Sequence, residues 1–255
     1  MKKFLSVTLT AFMLMAPAAM AAEDGGHHEV PSQSWSFDGP FGTFDRGALQ
    51  RGFQVYSQVC SACHSMKYLS YRNLRALGYT TAEVKAIAGQ YTTMDGPDDE
   101  GEMFERPTKP SDRFKSPYEN DQQGRYANNG ALPPDLSLIT KARVGGADYV
   151  YGLLTGYEEP PEGVELGAGQ HYNTVMPGNK IAMAPPLSDD IVAYEDDTDT
   201  TKEQYARDVA QFLTWAAEPE MEQRKRMGIK VILFLLVFAG VMYKVKKKIW
   251  ADVKH

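Results

Sequence analysis

A single Cys-x-x-Cys-His run, Cys60-Ser61-Ala62-Cys63-His64, constrains this chain more than any other feature. Two thiols three positions apart can add to the two vinyl groups of one haem, and the adjacent histidine is then held under the iron. A chain built this way must fold around a large, flat group. The cysteine count agrees, because the sequence has 2 Cys and both lie in the motif. A tetrahedral zinc site takes about four ligands, whereas His27, His28, His171 and His255 are scattered without ligand-like spacing. With both thiols engaged, no intramolecular disulfide remains, so this is not a disulfide-stapled scaffold. The motif predicts one covalently attached haem c, with thioethers at Cys60 and Cys63 and with His64 as an axial ligand.

The two ends of the chain read as export and anchoring. Lys2 and Lys3 precede a short apolar stretch and small residues at Ala19 and Ala21, the pattern of a secretory signal peptide over residues 1–21. Near the other end, residues 231–243 are apolar, and thirteen residues alone are short for a span. The flanks extend it. Lys230 and Lys244 can snorkel, Val245 and Ile249 continue the apolar character, and Trp250 suits the interface. One transmembrane helix is predicted within residues 224–250, followed by a tail at 251–255. The lysines Lys244, Lys246, Lys247, Lys248 and Lys254 place the tail on the cytoplasmic side and residues 22–223 outside. Arg224, Lys225 and Arg226 stand on the outer side, where lipid phosphates or a partner subunit are the expected contacts.

The overall charge of −6 conceals an asymmetry. The signal segment carries +2 and residues 224–255 carry +8, leaving −16 on residues 22–223. So acidic an exported region repels nucleic acid and attracts basic partners. No P-loop, nucleotide-binding glycine fingerprint or serine nucleophile elbow is present in the sequence.

Between the two ends the expected fold is mostly α, with long loops around a flat cofactor. Asp45 is a good N-cap for a helix through Leu49, Phe53 and Tyr56 into the cysteine motif. Further helices are predicted at 70–77, at 82–90 behind Thr80, and at 147–155. Tyr205, Val209, Phe212, Leu213 and Ala216 give 201–217 a helical core stripe. Residues 91–129 and 156–186, rich in Pro and Gly, read as irregular loop. A second axial ligand would make the iron an electron-transfer centre, and a thioether would raise its potential. Met94, Met103, Met176 and Met183 are the candidates; prolines after Met183 stiffen its loop, but Met176-Pro177 competes on local chemistry.

Several blocks resemble the cytochrome c1 family, whose members are the c-haem subunits of cytochrome bc1 complexes. They are Gly39-Pro-Phe-Gly-Thr-Phe-Asp-Arg46, Arg51-Gly-Phe-Gln-Val-Tyr56, Cys60-Ser-Ala-Cys-His-Ser-Met66 and Ala127-Asn-Asn-Gly-Ala-Leu-Pro-Pro-Asp-Leu136. Gly152-Leu-Leu-Thr-Gly-Tyr-Glu-Glu-Pro-Pro161, residues 181–186 and Trp215-Ala-Ala-Glu-Pro-Glu220 continue the likeness to the anchor. The resemblance implies a cytochrome c-like haem domain with long loop insertions and one C-terminal transmembrane helix. It implies thioethers at Cys60 and Cys63 and iron ligation by His64 and Met183. It sets Arg143 near a haem propionate with Tyr149 close by, although Arg125 rivals Arg143 on composition. Asn128, Ala131, Pro134 and Leu153 would line the pocket. Met176 is a departure, since an aromatic often precedes the Pro-Gly. The implied role is a non-catalytic redox subunit of ubiquinol–cytochrome c oxidoreductase in a bacterial inner membrane, its haem domain periplasmic. It would take one electron from the Rieske iron–sulfur protein, alongside cytochrome b, and pass it to a basic cytochrome c. A free-standing membrane-tethered cytochrome c shuttle is the alternative. A haem-based sensor or peroxidase with an open iron site is a third reading.

Overall fold

The computed structural model describes residue 30 and residues 32–252. The signal peptide expected at 1–21 lies outside the described residues, as do His27, His28, Lys254 and His255. Helix α1, Arg46–Gln58, starts where the Asp45 carboxylate accepts hydrogen bonds from the N–H groups of Gly47 and Ala48. It buries Leu49, Phe53 and Tyr56 together with Ala48, Gly52 and Val55, one face of a 3.6-residue period. A 3-10 segment at Tyr71–Leu77 follows, and then α2, Thr81–Ala88, whose capping box pairs Thr80 with Glu83.

Helix α6, Lys202–Ala217, is capped by the Thr201 hydroxyl and packs its buried stripe directly on α1. The crossing is close because position 52 has no side chain: a Cβ on Gly52 would lie 2.1 Å from the Asp208 carbonyl oxygen. Around this crossing Phe53 and Tyr56 meet Phe212 at ring-centroid distances of 5.7 and 5.8 Å. The fully buried Asp208 carboxylate receives Arg51 at 2.8 and 3.2 Å and the Tyr194 hydroxyl at 3.0 Å. A buried charge is costly unless it is paired and fully hydrogen-bonded, and this one is. Helices α4, Ile139–Ala142, and α5, Gly146–Thr155, pack on the other side of α6. The first turn of α5 is tied down by Asp148, which accepts from the Trp35 indole at 2.6 Å and from the Gln33 N–H at 3.1 Å.

The stretch 91–129 corrects the expectation of irregular loop. Strands β1, Thr92–Asp95, and β2, Phe104–Pro107, form an antiparallel hairpin with Thr92 opposite Pro107, and Asp121–Ala127 is helix α3. A ribbon of two short strands that buries neither face leaves no period-2 signature in its sequence. A smaller ladder, β3 at His171–Tyr172 against β4 at Lys180–Ile181, interrupts the second Gly/Pro-rich stretch.

The last helix, α7, is continuous over Met221–Ile249, 29 residues long and thus about 44 Å at ~1.5 Å per residue. Its apolar side chains are exposed, and among the described residues it is the one helix long and apolar enough to cross a membrane. Its first turns are bolted to the domain. Glu222 accepts from the Phe44 N–H and from Arg46, both at 2.9 Å, and Lys225 Nζ donates to the carbonyls of Phe37 and Gly42 at 2.6 and 3.3 Å. Glu218 pairs with Lys141 at 2.6 Å and with Arg224. Arg224 and Lys225, expected to meet lipid or a partner subunit, therefore act as clamps within the chain.

Replacing Gly52 by Ala gains helix propensity but drives a methyl into the α6 backbone. It is expected to cost about 2–3 kcal/mol, read as a lower unfolding midpoint of the haem-loaded protein; a raised midpoint would contradict the close crossing.

Candidate haem site

A 3-10 turn at Cys60–Ala62 leaves the end of α1, and the N–H groups of Cys63 and His64 both donate to the Cys60 carbonyl, at 3.1 and 2.9 Å. The Ser61 hydroxyl bonds back to the Ser57 carbonyl at 2.8 Å, and the Tyr56 hydroxyl holds the His64 carbonyl at 3.2 Å. The turn is thus fastened to the buried face of α1. Cys60 is half-buried, Cys63 is exposed, and both thiols are free. Burial pushes the Cys60 thiol up to about 12, with the charge of Cys63 adding to it. A dithiol oxidoreductase needs the opposite, a depressed thiol, so the environment disfavours the redox reading of this Cys-x-x-Cys.

His64 Nδ1 lies 2.8 Å from the Pro134 carbonyl oxygen. A carbonyl can only accept, so Nδ1 carries the proton and Nε2 keeps its lone pair. Burial lowers the His64 pKa, outweighing the Pro134 hydrogen bond and the Asp135 charge, and the ring is neutral near pH 7. A neutral imidazole with its far nitrogen tied to a carbonyl is the state that ligates a metal. Pro134 is held in turn by Asp135. That carboxylate accepts from the Ser65 hydroxyl at 2.7 Å, the Lys67 N–H at 2.8 Å and the Ser137 N–H at 2.9 Å. The Leu136 N–H completes the clasp on the Ser65 carbonyl at 2.8 Å. Burial alone would raise the Asp135 pKa, but hydrogen bonds from Ser137, Lys67 and Ser65 hold it below the ordinary carboxylate range.

Asn128 ends α3 and donates through Nδ2 to the Gly124 carbonyl at 2.7 Å and the Tyr118 hydroxyl at 2.9 Å. Asn129 and Gly130 turn the chain in the left-handed region, at φ 51 and 88, and Ala131 N–H returns to the Asn128 carbonyl at 2.9 Å. Asn128 and Ala131 therefore belong to one turn, from which the chain runs on to Pro134. Tyr149 and Leu153 sit on α5. Tyr149 Oη lies 3.7 Å from the Met176 sulfur, and the Leu153 carbonyl accepts from Asn173 Nδ2 at 2.8 Å. The fully buried Asn173 also accepts, through Oδ1, from the N–H groups of Val175 and Met176, both at 3.0 Å. Met176-Pro-Gly-Asn179 is a turn closed at 2.8 Å, with Gly178 at φ +78 as a type II turn requires. Met183 follows β4, half-buried, its carbonyl fixed by the Tyr157 hydroxyl at 3.0 Å.

The structure thus joins His64 to Pro134, Asn128 to Ala131, and Leu153 and Tyr149 to the Asn173–Met176 turn. No hydrogen bond among the described residues runs from the Cys60–His64 turn to Met183. Arg143 is exposed and donates only to the Ala142 carbonyl at 3.1 Å, and Arg125 donates to the Gly130 carbonyl at 3.3 Å. Neither guanidinium has a carboxylate partner among the described residues, so either is available to a propionate. Asp135, Tyr157 and Asn173 were not singled out from sequence. The readable signal for Asp135 was Asp-x-Ser after two prolines, an Asx-turn pattern.

The donor set fits a haem. Free thiols sit on one turn, and a neutral imidazole presents Nε2. A bare metal ion is not served, since no group of three or more His, Cys, Asp or Glu among the described residues is placed to hold one.

The sequence pattern of the Cytochrome C1 family matches residues 35–253. Cytochrome c1 of Rhodospirillum rubrum is 45% identical over 263 residues, covering 97% of this chain and 97% of its own length. The mitochondrial cytochrome c1 heme protein of Saccharomyces cerevisiae is 49% identical over 247 residues, 96% of this chain and 79% of the relative. A Bradyrhizobium diazoefficiens protein named cytochrome b/c1 is 48% identical over 276 residues, and there the chain spans 40% of the relative's length.

Asp135→Ala leaves the Ser65 hydroxyl and two N–H groups unpaired. A loss of roughly 2–3 kcal/mol is expected, measured by denaturant unfolding of the haem-loaded protein; an unchanged midpoint would show that the clasp contributes nothing.

Proposed function

The chain belongs to the cytochrome c1 family, and from that premise we propose that it is the c-haem electron-transfer subunit of a quinol–cytochrome c reductase. The observation that carries the reading is the neutral His64, tied to the Pro134 carbonyl beside two free thiols on the same turn. A haem bound there supplies one-electron iron redox chemistry. Cys60 and Cys63 would hold it covalently, and His64 and Met183 would bind its iron. Arg143, with Tyr149 close in sequence, would meet a propionate; Asn128, Ala131, Pro134 and Leu153 would line the pocket. The chain itself makes and breaks no substrate bonds, so its part is to position the haem, exclude water and set the potential.

Residues 1–21 are a signal peptide, 22–223 the periplasmic haem domain, 224–250 the membrane helix with its flanks and 251–255 a cytoplasmic tail. Placement in a bacterial inner membrane is supported by the apolar helix α7 and the lysines at its end. Cytochrome b and the Rieske iron–sulfur protein are the proposed neighbours, and a relative named cytochrome b/c1 supports the first of them. The −16 charge on residues 22–223 favours a basic cytochrome c as acceptor by steering its approach.

The test is a reduced-minus-oxidised visible spectrum of the tagged chain purified from mildly solubilised native membranes. A c-type band accompanied by b-type bands is expected; a c-type band alone, without companion subunits, would favour the tethered shuttle. Met183→Leu should retain the covalent haem and lower its midpoint potential by on the order of 0.1–0.3 V, within the ~0.8 V range that axial ligands span. An unchanged potential in redox titration would move the ligand role to Met176.

A further inference from the structure

The loop that carries Met183 is thinly supported. It leaves β4 at Ile181, and the bond from the Tyr157 hydroxyl to the Met183 carbonyl, at 3.0 Å, is the one hydrogen bond that residues 183–187 make among the described residues. Ala182 and Ala184 on either side are exposed, and the next buried side chain is Leu187. Pro185 and Pro186 have no N–H to donate, and Pro185 confines Ala184 to extended conformations. Burial pushes the Tyr157 pKa up, which keeps its hydroxyl protonated and a donor.

Tyr157 is itself firmly held. Its backbone pairs with Asn173 in an antiparallel bridge. Just before it, the Gly156 N–H donates to the Gly152 carbonyl at 2.8 Å, and the Gly156 carbonyl accepts from the Thr174 N–H at 2.9 Å. A Cβ on Gly156 would lie 2.7 Å from the Gly152 carbonyl oxygen and 2.8 Å from the Thr174 hydroxyl, so a side chain has no room at this join. The fully buried Asn173 ties the same point to the Leu153 carbonyl of α5 at 2.8 Å. Tyr157 is thus fixed to the end of α5, a helix packed on α6, and its hydroxyl carries that support 26 residues along the chain to Met183.

A thioether that binds iron from its own chain is an intramolecular ligand, and its effective concentration depends on how narrowly its loop is held. A hydrogen bond on the ligand's own peptide unit restricts that residue directly. We infer that Tyr157 is a positioning residue for the sixth iron ligand: its hydroxyl holds the Met183 backbone so that the thioether outcompetes other ligands for the iron. The inference rests on the reading of Met183 as an axial ligand and assigns the residue that keeps it there. Because the restraint acts on the loop and not on the charge of the iron, it works alike in the ferrous and ferric states.

The test is Tyr157→Phe in the haem-loaded, detergent-solubilised full chain, measured beside Met183→Leu and Tyr194→Phe. Tyr157→Phe removes one oxygen and keeps the ring. The affinity of the ferrous form for carbon monoxide and that of the ferric form for cyanide are both expected to rise by about threefold to tenfold, the equivalent of one hydrogen bond. The covalent haem is retained. Tyr194→Phe removes a hydroxyl from the Asp208 carboxylate instead; it should lower the unfolding midpoint and leave both affinities unchanged, which separates positioning from general loosening. If Met183→Leu raises neither affinity, Met183 is not the ligand and the inference fails with that reading. If Met183→Leu raises both while Tyr157→Phe leaves either unchanged, or if Tyr194→Phe raises them as much, the ligand reading stands and the inference is overturned.

Discussion

The hydrogen bond between His64 Nδ1 and the Pro134 carbonyl is the constraint on which the site depends. It fixes the tautomer and ring orientation and leaves Nε2 as the only nitrogen free to bind iron. Its partners lie 70 residues apart in sequence, so both must be immobilised independently. On one side α1 and the Tyr56 hydroxyl fasten the cysteine turn. On the other, Asp135 bonds Ser65, Lys67 and Ser137 and binds the proline segment to the residues just after the histidine. The clasp also explains why a carboxylate so near the ligand stays ionised: its hydrogen bonds outweigh its burial.

Behind the site stands the α1–α6 crossing. Gly52 lets the two backbones touch, the Arg51–Asp208 pair closes the polar end of the contact, and an aromatic cluster around Phe212 and Phe114 fills the rest. Helices α4 and α5 hang from the same α6, which places Tyr149 and Leu153 by rigid packing. A functional group presented on packed helices is held more tightly than one on free loops. The clamps at Glu218, Glu222 and Lys225 tie the first turns of α7, the helix long and apolar enough to cross a membrane, to the rest of the chain.

Much of this was legible in the residues. Asp45 and Thr80 announced their helices because caps act locally, and the stripe from Tyr205 to Ala216 announced α6 because it faces one core. The Cys-x-x-Cys-His motif pointed to a c-type haem because its chemistry is written in adjacent positions, and the family to which the chain belongs agrees. The hairpin β1–β2 was not legible, because a ribbon exposed on both faces has no periodic pattern. Asn173 was hidden for a related reason: a buried amide that organises a turn looks like any loop asparagine until its three partners are known. The choice of Arg143 over Arg125 is carried by resemblance, as neither side chain has a carboxylate partner among the described residues. The clamps at the base of α7 were misread from sequence, since a juxtamembrane cation looks the same whether it meets lipid or a backbone carbonyl.

The most direct measurement of the central claim is the mass of the peptide containing residues 60–64 from the purified, proteolysed protein. The account predicts a peptide heavier by one haem, with the adduct retained under thiol reductants and absent when both Cys60 and Cys63 are replaced by alanine. A peptide bearing free thiols, or one whose only modification is a reducible disulfide, would contradict it.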